Sequence, residues 1–75
     1  MNQTQHMTEN QIEVLKSVLS EWADDRCDVL YHASNYELSR VERNTLKIDI
    51  LDVATILEDV CGVEGAKDKY HNMIF

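Results

Sequence analysis

Side chains of the types that bind zinc occur at four scattered positions of this chain: Cys27, His32, Cys61 and His71. Structural zinc sites usually draw on tight knuckles such as Cys-x-x-Cys, and no Cys-x-x-Cys pair occurs here. Cys27 and His32 also make a poor nucleophile pair, because more than one helical turn separates them and nothing beside them marks an oxyanion hole. The spacing therefore predicts buried thiols and a surface imidazole in place of a metal site.

A second group of candidate residues is acidic and lies in the second half of the chain, at Asp49, Asp52, Glu58 and Asp59. Carboxylates of helix bundles hold di-iron centres when Glu-x-x-His pairs accompany them, and no such pair occurs here. Catalysis also requires a pocket with convergent groups, for which a subunit of two helices offers little room. We therefore predict no catalytic, metal-binding or cofactor-binding residues and a protein that is not an enzyme.

The charge of the chain limits its partners. Its 75 residues carry a net charge of −7 from 14 acidic and 7 basic side chains, which argues against a nucleic-acid binder, since such proteins neutralise phosphates with clustered lysines and arginines. A basic stripe at helical spacing, formed by Arg40, Arg43 and Lys47, precedes an acidic stretch. Segregated charge of this kind can align subunits antiparallel, so the stripe is predicted to bind a protein partner.

The chain contains no apolar run near the ~20 residues that a bilayer span needs. Its first residues, MNQTQHMTENQ, have neither the basic region nor the apolar core of a signal peptide. We therefore expect no membrane partner and a cytoplasmic location, where the cysteines remain thiols.

Helices are the elements that must position these residues. The chain has no proline, and its two glycines, Gly62 and Gly65, come late. Thr8 and Gln11 have the spacing of a capping box, so a helix is predicted to begin at residue 9. Apolar residues then recur at three- and four-residue spacing, which predicts one amphipathic helix over about 9–33. A break near Asp24 is the alternative and would give three helices.

A second helix is predicted over about 37–61. Ser34 and Asn35 favour a turn, which places the connection between residues 34 and 39, and Gly62 supplies a left-handed cap. The predicted organisation is a flexible N-terminus over 1–7, a helical hairpin over 8–61, and a C-terminal tail or short third helix over 62–75. The apolar tail residues Tyr70, Met73 and Phe75 are predicted to dock on the bundle or to bind a partner.

The second helix carries more apolar residues than one partner helix can cover. Leu46, Ile50, Val53, Leu57 and Val60 form one seam, and further apolar residues lie off it. Apolar surface left in water forfeits roughly 25 cal/mol per Å², and a second hairpin would cover it. We therefore predict an all-α homodimer, a four-helix bundle whose interface contains Leu38, Val41, Ile48, Leu51 and Ile56. Single exposed apolar residues of no consequence are the alternative.

The block MTENQIEVLKSVLSEWADDRCDVLYHASNYELSRVERNTLKIDILDVATILEDV resembles the short acidic helical early proteins of lambda-like temperate phages, particularly those encoded between the exonuclease and excisionase genes. The resemblance rests on size, acidity and helical texture, and it carries over no functional residues. It implies a non-enzymatic protein of the infected cell's cytoplasm that binds a host or phage regulator and so influences host physiology or the choice between lysis and lysogeny. The alternative is an acidic nucleic-acid mimic that inhibits a DNA-binding protein, although interleaved Lys16 and Arg26 interrupt such a surface.

Overall fold

The computed structural model describes residues 7–75, except for the side chains of residues 35 and 36. Over this range the chain forms three long or medium helices and one single-turn helix, and no strand. They are α1 (Glu9–Tyr31), the single turn α2 (Ala33–Tyr36), α3 (Arg40–Asp59) and α4 (Ala66–Ile74). The predicted all-α class and the third helix in the tail are confirmed. The flexible segment predicted over 1–7 lies, apart from Met7, outside the described residues.

Both long helices begin at capping boxes. The Thr8 hydroxyl accepts from the Gln11 N–H at 3.0 Å, and the Gln11 side chain accepts from the Thr8 N–H at 2.8 Å. Ser39 and Glu42 repeat the arrangement at 3.1 and 2.9 Å, which also holds the pKa of the Glu42 carboxyl below its ordinary value. The second helix therefore begins at residue 40 and not near 37, because Glu37 adopts a left-handed conformation (φ 54°) that ends α2.

The helix ends differ from the predicted boundaries by two residues. α1 runs unbroken through Asp24 and ends at Tyr31, because His32 leaves the helical conformation with φ −104° and ψ 32°. α3 ends at Asp59, and Gly62 follows in the left-handed conformation at φ 72°. The turn at Gly62 lets the Val63 N–H donate to the Leu57 carbonyl at 2.9 Å, which satisfies one of the last carbonyls of α3.

The core lies between α1, α3 and α4. The short connection makes α1 and α3 an antiparallel hairpin, and Ala23 and Ala54 are fully buried where these helices pack together. Side chains of α3 and α4 fill the rest of the space, and the buried cluster consists of Ala23, Cys27, Ile50, Ala54, Leu57, Ala66, Tyr70 and Ile74. Ile50 and Leu57 confirm the predicted seam of the second helix, whereas Val60, just beyond α3, is about half exposed.

α4 docks along one side of the hairpin. Tyr70 is 2% exposed, and its hydroxyl donates to an Asp24 carboxylate oxygen at 2.8 Å. Burial is the larger cause that raises the pKa of the Tyr70 phenol above its ordinary value, and the hydrogen bond to Asp24 raises it further. At the start of α4 the Lys67 N–H donates to Glu58 at 3.1 Å, and Lys67 Nζ lies 3.2 Å from the Asp59 carboxylate.

The molecule is a rod with principal extents of 47, 23 and 18 Å. Its radius of gyration is 14.2 Å, whereas a compact domain of this length has one of about 11 Å. α4 has nine residues and the hairpin helices have 23 and 20, so α4 covers only part of one side of the hairpin. The opposite side of α1 and α3 carries no third helix among the described residues.

Candidate functional site

Four half-exposed apolar side chains lie in the first half of α1 and at or just beyond the end of α3. Their exposed fractions are 54% for Val14, 58% for Val18, 38% for Ile56 and 49% for Val60. We call these four residues the open face. Because α1 and α3 are antiparallel, both pairs fall at the same end of the rod.

Helix geometry explains why α4 leaves the open face uncovered. Glu58 contacts α4 through the Lys67 N–H, so it marks the side of α3 that faces α4. Ile56 and Val60 are each two residues from Glu58, which turns them about 160° around the helix. Asp24 marks the corresponding side of α1, and Val18 stands about 120° away from it. Val18, Ile56 and Val60 are thus directed away from α4, whereas Val14 is only about 80° from Asp24 around α1 and lies at the edge of the open face.

A groove of about 330 Å³ continues the uncovered side toward the connection. Its apolar lining comes from Val29 on α1 and from Leu38, Val41 and Leu46 in and after the connection. Polar side chains form the remaining lining, namely Arg26, Glu42, Thr45 and Asp49. We call this the connection groove. Apolar surface therefore occurs at both ends of the uncovered side.

The five residues predicted at the dimer interface do not lie on one surface of the molecule. Leu38 and Val41 line the connection groove, and Ile56 belongs to the open face. Leu51 is partly buried against the core, and Ile48 is 60% exposed. Ile48 and Ile56 are eight residues apart and therefore about 80° apart around α3, so a single flat partner surface does not reach both equally.

Of the six residues predicted to bind a partner, five lie at or near the surface and one, Tyr70, lies in the core. Arg40 is exposed and Arg43 is half-buried at the start of α3. Lys47 Nζ lies 4.8 Å from the centroid of the Phe75 ring, so the structure joins the basic stripe to the end of the tail. Met73 and Phe75 are exposed, whereas Tyr70 belongs to the core.

A second groove, of about 350 Å³, lies between the second half of α1 and the end of α4. It is lined by Asp24, Cys27, Asp28, Tyr31 and Met73, and we call it the acidic groove. Sequence reasoning assigned no role to Tyr31, which is 84% exposed. The sequence does contain one indication of this groove: Tyr31 comes one helical turn after Cys27 and Asp28, which places all three along one side of α1.

The Cys27 thiol contributes no reactive group to the acidic groove. Burial raises its pKa above the ordinary value, and the nearby Asp24 carboxylate raises it further. A thiol that stays protonated at neutral pH is a weak nucleophile. His32 Nε2 lies 3.5 Å from the Asp28 carboxylate, and its ring meets the Tyr31 ring edge-on at 4.9 Å between centroids.

Within residues 7–75 no three His, Cys, Asp or Glu side chains come together in a way that could hold a metal ion. None of the helices described combines the length and apolar character needed to cross a membrane.

The two grooves and the open face are therefore surfaces suited to contact with other molecules, built on a rigid three-helix arrangement. Comparison of the chain with protein-family models, with curated proteins and with solved structures yields no match.

Proposed function

We propose that this chain is a non-enzymatic protein–protein interaction module that works as a homodimer joined through the open face. The observation that carries the proposal is that four half-exposed apolar side chains lie at one end of the hairpin and that three of them, Val18, Ile56 and Val60, are directed away from α4. Apolar side chains grouped at one end of a molecule are typical of interaction sites, whereas single exposed apolar residues are common and need no explanation.

A second copy of the chain is the occupant that best fits the uncovered side. A stable interface buries roughly 800 Å² of each partner. The rod is 47 Å long and 18–23 Å across, so one whole side is large enough for such a footprint. A two-fold axis between the two copies would bring the same side chains of both chains together. The result would be a bundle with α1 and α3 of each chain at its centre.

The size of the chain also favours self-association. A domain of 75 residues buries a smaller share of its surface than a larger one, and its core provides only a few kcal/mol of net stability. Burial of the open face would add apolar contact to a small core in which three of the buried residues are alanines, Ala23, Ala54 and Ala66.

The partner of the dimer is proposed to be a host or phage regulator in the cytoplasm of an infected bacterium. Support comes from the resemblance to early proteins of lambda-like phages and from the exposed side chains of Met73 and Phe75 beside Lys47. No observation favours the nucleic-acid mimic. Lys16 lies 3.0 Å from Glu13 and Arg26 lies 3.2 Å from Asp25, so cations interrupt the carboxylates of α1.

Sedimentation equilibrium of the whole chain tests the dimer. We expect a mass twice the 8.7 kDa of one chain at micromolar concentration, with dissociation to single chains on dilution. The apolar interface predicts that association changes little between low and moderate salt, because salt screens charge contacts but not apolar burial. A single chain at all concentrations up to the millimolar range would contradict the proposal.

A further inference from the structure

We propose that the acidic groove binds an arginine side chain presented by a partner protein. The groove lies on the α4 side of the hairpin, away from the open face. The inference supplies the chemistry of the partner in the proposed function, and it requires no dimer.

The walls of the acidic groove match the two surfaces of a guanidinium group. Asp24 and Asp28 are one helical turn apart on α1 and provide carboxylate oxygens that accept hydrogen bonds from its edge. Tyr31 and Met73 provide an exposed aromatic ring and a thioether, on which the flat face of the group can stack. Lysine, a compact and strongly hydrated point charge, would use the carboxylates but gain less from the apolar wall.

One carboxylate of the groove is held in position before any ligand arrives. The Tyr70 hydroxyl, inside the core, donates to Asp24 Oδ1 at 2.8 Å. A phenol is a neutral donor, so this hydrogen bond orients the carboxylate without cancelling its charge. Fixing the group in advance reduces the ordering cost of binding.

One imidazole and one ammonium group of the chain lie near the acidic groove. Asp28 faces the His32 imidazole at 3.5 Å, a contact that is charged only when the imidazole is protonated. Lys69 on α4 is near enough to influence the Cys27 thiol, and its Nζ lies 5.0 Å from the centroid of the Tyr70 ring. The chain as a whole carries a net charge of −7, which favours the approach of a basic partner.

The dimensions of the groove fit one long side chain and not a large ligand. Its volume of about 350 Å³ is at the lower end of the range of about 300–1,000 Å³ for ligand clefts. The exposed Tyr31 and Met73 leave the groove open to solvent on one side, so a side chain can enter while its backbone stays on the protein surface.

Titration followed by backbone amide chemical shifts tests the inference. The probes are three acetylated and amidated tripeptides, in which arginine, citrulline or lysine stands between two glycines. Citrulline has nearly the shape of arginine but no charge, and lysine has the charge but no planar group. With the arginine peptide at millimolar concentration we expect saturable shifts that centre on Asp28, Tyr31 and Met73.

Two substitutions make the test specific. Asp28→Asn should weaken binding of the arginine peptide about three- to tenfold, the range for a partly exposed charged contact. Asp52→Asn removes an equal charge from an exposed position of α3 outside the groove and should leave the affinity within about twofold. Both positions are exposed, so neither change should unfold the chain.

Equal shifts with the citrulline peptide, equal affinity for the lysine peptide, or equal losses in the two variants would each overturn the inference. The result of the peptide titration is independent of the result of the dimer test. Sedimentation measures the oligomeric state, whereas the titration detects binding on the opposite side of the molecule. A monomeric chain that still binds the arginine peptide would contradict only the dimer.

Discussion

Val18→Glu is expected to convert the dimer into a monomer while the chain keeps its helices. Val18 is 58% exposed in the single chain, so a glutamate there remains in water and costs the monomer little. In the proposed dimer each carboxylate would be buried against apolar side chains of the other copy, and an unpaired buried charge costs several kcal/mol. We expect the dimer dissociation constant to rise about 100-fold or more, since each ~1.4 kcal/mol corresponds to a factor of ten.

Ser17→Glu is the matched control for this variant. It adds the same charge at the adjacent exposed position, which is about 100° from Val18 around α1 and on the side that Asp24 marks as facing α4. Sedimentation equilibrium should give a dimer for Ser17→Glu and a monomer for Val18→Glu, with similar helical circular dichroism for both. Equal dissociation of the two variants would point to general charge repulsion, and an unchanged dimer for Val18→Glu would exclude the open face as the interface.

Leu57→Ala is expected to unfold most of the protein at room temperature. Leu57 is fully buried among α1, α3 and α4, and truncation of such a leucine costs about 2–5 kcal/mol because it leaves a cavity. A core of this size provides about 3–5 kcal/mol in total, so the loss is comparable with the whole stability. Urea denaturation followed by circular dichroism should show a midpoint close to zero urea.

Ile48→Ala removes the same number of carbon atoms from an exposed position of the same helix. Ile48 is 60% exposed and lies outside both the open face and the connection groove. The free energy of unfolding of the Ile48→Ala variant should differ from that of the unchanged chain by less than about 0.5 kcal/mol, as for most surface substitutions. If Leu57→Ala were as stable as Ile48→Ala, the arrangement of α3 and α4 around the core would be wrong.

Local signals made the long helices predictable. The Thr8 capping box, the three- and four-residue apolar spacing and the left-handed Gly62 act within a few residues, so the sequence alone locates α1 and the end of α3. The start of α3 was harder to place because Ser34 and Ser39 carry the same capping signal. Only the structure shows that Ser39 makes the box, whereas Ser34 lies inside the single turn α2, whose N-cap is His32.

The side on which α4 docks could not be predicted, since it depends on contacts between residues far apart in sequence. Tyr70 and Asp24 are 46 residues apart, and their hydrogen bond belongs to the contacts that hold α4 on one side of the hairpin. This choice decides which apolar residues remain exposed. Leu51 packs against the core, whereas Val18 stays in the open face.

The candidate site was therefore predictable only in part. Leu38, Val41 and Ile56 were named from the apolar surplus of the second helix, and they line the connection groove or the open face. The acidic groove was not foreseen, because it needs Met73 of α4 beside Tyr31 of α1, and periodicity within one helix carries no information on such a contact.

Intermolecular contacts between methyl groups provide the most direct test of the open-face dimer. In a mixture of ¹³C-labelled and unlabelled chains, isotope-filtered nuclear Overhauser spectra report only contacts between the two copies. The proposed interface predicts intermolecular signals from the methyl groups of Val14, Val18, Ile56 and Val60. An absence of intermolecular signals at millimolar concentration, or signals from the Ile48 methyl groups without those of Val18 and Ile56, would contradict it.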